Sequence, residues 1–77
     1  MPFQILRVEL DDTGHVTAQR PTQPLFELED DAYALAEFDA SRLGEEYGYD
    51  SKRGCWWSTG SSGRRTEFVV KELHGAA

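Results

Sequence analysis

A chain of 77 residues with 14 acidic and eight basic side chains has a net charge of −6, which argues against general affinity for duplex nucleic acid, where a basic footprint is needed. One cysteine, Cys55, excludes an internal disulfide, and with two histidines the chain lacks the ligands of a structural zinc site, so a reduced, cytoplasmic setting is expected. The length predicts one domain with a modest core; the charged, alternating start does not read as a signal peptide, and no apolar run approaches membrane-spanning length, so no membrane partner is expected.

Residues 3–10 alternate as a strand, with Leu6, Val8 and Leu10 on one side and Phe3, Ile5, Arg7 and Glu9 on the other. Asp11-Asp12-Thr13-Gly14 supplies a turn, and residues 15–20 return as a short second strand. Pro21 and Pro24 end that strand, because proline has no amide to give to a ladder. Residues 30–47 then read as an amphipathic helix: Leu28, Ala32, Leu35, Ala36, Ala40, Leu43 and Tyr47 form one stripe at helical spacing. Asp30 or Asp31 is the expected cap, and Gly48 the expected stop, with Gly44 as an earlier alternative. Asp39 falls inside the apolar arc, where pairing with Arg42 would accommodate it, and Phe38 falls outside it. Residues 49–54 read as a polar connection, 55–59 as an aromatic strand, 60–63 as a hairpin loop and 66–73 as a longer strand, with a frayed tail at 74–77. The expected fold is therefore α+β: a ββαββ domain whose four-stranded antiparallel sheet carries one helix on one face.

One helix covers one face of such a sheet, so the other face becomes the candidate site. If Leu6, Val8, Val16, Cys55, Trp57, Phe68 and Val70 face the helix, then Phe3, Ile5, Arg7, Trp56, Val69 and Lys71 lie opposite. A one-residue slip exchanges Trp56 and Trp57, leaving one exposed tryptophan either way. An open face with tryptophan, branched residues and a basic rim predicts a contact surface made by Phe3, Ile5, Arg7, Trp56, Trp57, Val69 and Lys71.

Charge is unevenly spread: residues 1–49 hold three arginines against eleven acids, and residues 50–77 hold five cations against three acids. Such a polarised chain can bind differently charged partners on its two sides, or a second copy of itself. Lys52, Arg53, Arg64 and Arg65 form a candidate anion or phosphate site near the glycine-serine loop. Asp12-Thr13-Gly14 resembles the tripeptide around aspartic-protease aspartates, but a β-turn accounts for it, and Asp11 and His15 stand where that motif carries apolar and small residues. Cys55 beside two tryptophans reads as a small buried hydrophobe, and His15 and His74 lack rigid settings for acid–base work.

No triad, metal set or paired-carboxylate site is assembled, and no cofactor is implied. The sequence thus predicts a non-enzymatic, acidic, cytoplasmic binding module acting through a protein partner or as a homodimer. The alternative is a single-stranded RNA- or DNA-binding module that stacks bases on Trp56 or Trp57 and holds phosphates with the basic hairpin.

Overall fold

The computed structural model describes residues 2–22, 25–60 and 63–73. The elements run β1 (Phe3–Leu10), β2 (Val16–Pro21), α1 (Glu29–Leu43), β3 (Glu46–Asp50), β4 (Cys55–Thr59) and β5 (Arg65–Glu72). They form a small α+β domain with one helix on a five-stranded sheet of order β2-β1-β5-β4-β3, every neighbouring pair antiparallel. The expected ββαββ arrangement is corrected to ββαβββ. Tail residues 74–77 and the loop serines Ser61 and Ser62 lie outside the described residues.

The β1–β2 hairpin closes as its turn residues dictate. Asp11 Oδ1 accepts from the Thr13 amide at 2.9 Å, the Thr13 hydroxyl at 2.6 Å and the His15 amide at 2.9 Å, while Gly14 takes a φ of +89°. These contacts account for the Asp-Thr-Gly tripeptide as turn chemistry. After β2 the chain returns beside the start of β1, where Phe3 and Phe26 exchange backbone hydrogen bonds of 2.7 and 2.9 Å.

Helix α1 starts and stops differently from expectation. Leu28 holds the N-cap position without a side-chain cap bond, and Glu29, Asp30 and Asp31 lie inside the first turn, where their charge complements the helix dipole. The helix ends at Gly44, not at Gly48. A Cβ on Gly44 would stand 2.5 Å from the Thr59 carbonyl oxygen, and Glu45 donates to that oxygen at 2.9 Å, so the chain leaves the helix directly into the sheet. Tyr47, expected to extend the helical stripe, is a strand residue in β3. The correction has a physical cause: the helical spacing of Leu43 and Tyr47 competes with the alternation of Tyr47 and Tyr49, and pairing with β4 satisfies the backbone of 46–50.

Ala32, Ala36 and Ala40 are fully buried, and their small side chains bring α1 close to Ile5 and Phe68. Phe3, Phe26, Leu35, Trp56 and Val70 pack around this centre. Leu28 and Leu43, expected in the buried stripe, are exposed. Asp39 makes no ion pair with Arg42; the Arg42 guanidinium instead lies 5.2 Å over the Phe38 ring.

Cross-strand register settles which residues share a face. Ile5 is opposite Val70, Arg7 opposite Phe68, and Phe68 opposite Trp56, so Phe3, Ile5, Arg7 and Trp56 lie on the helix side with Phe68 and Val70. Leu6, Val8, Cys55, Trp57, Val69 and Lys71 lie on the other side. The expected face assignment is thus reversed for β1 and correct for β5, and in β4, where a one-residue slip left the choice open, it is Trp56 that faces the helix. Alternation fixes the phase within a strand but not between strands, and β1 is apolar on both sides.

Candidate functional site

The reversal separates the predicted contact residues into two groups. Ile5 is buried in the core and Phe3 packs against it, so neither is available for contact. Arg7 lines a 250 Å³ cavity with Thr22, Asp39, Arg42, Leu43 and Phe68 at the far end of α1. Trp56 lies on the helix side, and Trp57, Val69 and Lys71 on the other. The seven residues do not form one surface.

The face opposite the helix carries a charge network over β3, β4 and β5. Glu67, in the middle of β5, is 1% exposed and sits between Val8 on β1 and Trp57 on β4. A carboxylate so placed requires charged partners. Arg53 Nη2 donates to Oε1 at 2.8 Å and Arg65 Nε to Oε2 at 3.0 Å, and Arg65 Nη2 lies 2.9 Å from Oε2 as an ion pair. The same Arg65 nitrogen reaches Asp50 Oδ2 at 3.1 Å, and its guanidinium lies 5.1 Å over the Trp57 ring. Trp57 in turn covers Gly48, where a Cβ would meet the indole at 3.0 Å.

Asp50 is itself tied into the β3–β4 turn. Its Oδ1 accepts from the Lys52 and Arg53 amides at 3.0 and 3.2 Å, and the Arg53 amide, foremost among these contacts, holds the carboxyl below its ordinary range. Burial, and then the charge of Glu67, push the Cys55 thiol up, keeping it neutral beside the network. Arg53 and Arg65, two of the four residues of the predicted anion site, are therefore engaged by carboxylates of the same chain. Lys52 and Arg64 are exposed on the neighbouring turns.

The aromatic surface lies elsewhere, on the helix side of β3 and β4. Tyr49 and Trp56 are directly opposed across the strands, with ring centroids 5.4 Å apart at 63°. Tyr33, from the second turn of α1, meets Tyr49 edge-on at 6.4 Å and 66°, and Tyr47 tilts against Trp56 at 6.4 Å and 33°. Burial foremost pushes the Tyr33 phenol up, with the charges of Tyr49, Glu29 and Cys55 adding to it, so the ring is neutral at physiological pH. Tyr33, Tyr49 and Trp56, with Glu29 and Asp30 from the first turn of α1, line a 510 Å³ cavity open to the surface.

Of this site, only Trp56 was singled out by sequence. The signal available for the rest was the Tyr-Gly-Tyr run at 47–49, which pairs with Trp-Trp only once 46–50 is read as a strand. Among the described residues no group of three or more His, Cys, Asp or Glu side chains is placed to hold a metal ion, and no helix is long and apolar enough to cross a membrane. Comparison of the chain with protein-family models, curated proteins and solved structures finds no match.

Proposed function

We propose that the protein acts by binding a protein partner and not by catalysis, through the aromatic surface of β3 and β4 together with the acidic first turn of α1. The observation that carries this reading is the exposure of Tyr47 and Tyr49, 48% each, on the edge strand β3 beside Trp56. Tyrosine and tryptophan contribute most of the energy at protein interfaces, and a rim of carboxylates selects a basic segment on the partner. The nucleic-acid alternative has less support. Stacking on these rings would bring phosphates against Glu29 and Asp30, and Arg53 and Arg65 already serve Glu67 and Asp50.

Affinity capture with the wild type, Tyr49→Ala and the edge-strand control Gln19→Ala tests the proposal. The partner should be retained by wild type and Gln19→Ala and lost with Tyr49→Ala; retention by Tyr49→Ala contradicts it. The charge polarity of the chain makes a second copy one eligible partner. Sedimentation equilibrium reads that case directly, as a dimer that Tyr49→Ala dissociates.

A further inference from the structure

We infer that the cavity between Tyr33, Tyr49 and Trp56 is an aromatic cage for a methylated lysine side chain of the partner. The inference rests on the binding role proposed above and names the chemical group that the surface takes.

The argument begins with ring orientation. Tyr49 meets both Tyr33 and Trp56 edge-on, at 66° and 63°, and is stacked on neither, and the three rings border one depression. Each face presents the negative part of an aromatic quadrupole, which attracts a cation placed among the rings. The two remaining lining residues are carboxylates, Glu29 and Asp30. Among the described residues no lining group is cationic, and this lining favours positive charge. The N-terminal end of α1 opposes this with about half an elementary charge, which the carboxylates of Glu29, Asp30 and Asp31 outweigh.

Shape and hydration then select among cations. A bare ammonium is compact and strongly hydrated, and three aromatic walls cannot replace the hydrogen bonds it loses. A guanidinium is flat and fits parallel rings better than rings crossing at more than 60°. A methylated ammonium is round, weakly hydrated and positive, and it meets each ring through its methyl groups.

The site is a shallow depression, open over most of its area, which leaves room for the chain that carries the cation. Leu28, next to Glu29 in sequence, and Tyr47, beside Trp56, are 62% and 48% exposed and offer flanking contacts that a free small cation would not use.

The test is an NMR titration of the whole protein with short glycine-serine peptides that differ in one side chain: trimethyllysine, lysine, or the neutral carbon isostere with a tert-butyl head. The expected result is perturbation of Tyr33, Tyr49 and the Trp56 indole by the trimethyllysine peptide, with binding roughly tenfold tighter than to the isostere or to lysine. Tyr49→Ala, with folding checked by circular dichroism, should abolish the response, and Glu29→Gln with Asp30→Asn should weaken it severalfold.

Equal affinity for the isostere, or shifts confined to other surfaces, would overturn the inference. Choline binding as tightly as the peptide would overturn the assignment to a side chain. Either failure alongside Tyr49-dependent partner capture removes the methyl-lysine assignment alone, whereas a partner retained by Tyr49→Ala removes the binding role itself.

Discussion

Glu67 is the residue on which the helix-free face depends. Its carboxylate is enclosed by Val8, Trp57 and two guanidinium groups, and removing it leaves Arg53 and Arg65 without their principal acceptor. Breaking a fully buried pair costs about 3–5 kcal/mol, but Arg53 is 56% exposed and recovers hydration, so Glu67→Ala should cost about 2 kcal/mol. A urea midpoint unchanged from wild type would show the network to be decorative. Asp50 makes the pH dependence predictable. Its folded-state carboxyl titrates below the ordinary value of 3.8, so its contribution is present above that pH and is lost as pH falls through the lower folded value. Asp11, held down first by the Thr13 hydroxyl, adds to the same acid decline. Thermal unfolding between pH 7 and pH 2 should therefore show a shallower acid loss in Asp50→Asn, and parallel curves would contradict the assignment. Cys55, buried and neutral, should react with maleimide only as fast as the protein opens.

Gly44 and the strand that follows it separate what could be read at the level of elements from what could not. Four of the five strands, the first hairpin and most of the helix follow from alternation, turn chemistry and helical spacing, because each of those signals is local. The end of α1 is not local. Residue 44, where the helix gives way to extended backbone, has to be glycine because the Thr59 backbone, fifteen residues on, occupies the space a side chain would need. The face assignment failed for a related reason, since only pairing with β5 orients Phe3, Ile5 and Arg7 toward α1. Gly44→Ala should accordingly destabilise by about 2 kcal/mol or more, because the backbone it strikes cannot move without breaking β3 from β4. Gly60→Ala, with no atom near its Cβ, serves as the neutral control. Equal midpoints in denaturant for the two variants would refute the close-approach account.

Across the whole molecule, the ion-pair network and the proposed binding surface lie on opposite faces of the sheet. On the helix-free side Glu67, Arg53, Arg65 and Asp50 answer one another, whereas the helix side places aromatic rings beside the carboxylates of Glu29 and Asp30, which form no ion pair among the described residues. The sequence reveals the charge polarity and the aromatic content, but the proposed cage combines Glu29, Asp30 and Tyr33 with Tyr49 and Trp56, a grouping that exists only after β3 pairs with β4. Surface carboxylates act over roughly 10 Å at 0.1 M salt, so partner binding should weaken as salt rises and on Glu29→Gln with Asp30→Asn, with the unfolding midpoint of that variant unchanged. Salt-independent capture would contradict this electrostatic part. The central claim, that binding uses the β3–β4 aromatic surface, is tested most directly by hydroxyl-radical footprinting of the protein alone and in its captured complex. Tyr33, Tyr47, Tyr49 and Trp56 should be protected in the complex while Trp57 reacts as before. Protection of Trp57, Leu6 and Val69 with the four cage-side aromatics unchanged would place the contact on the opposite face and contradict the account.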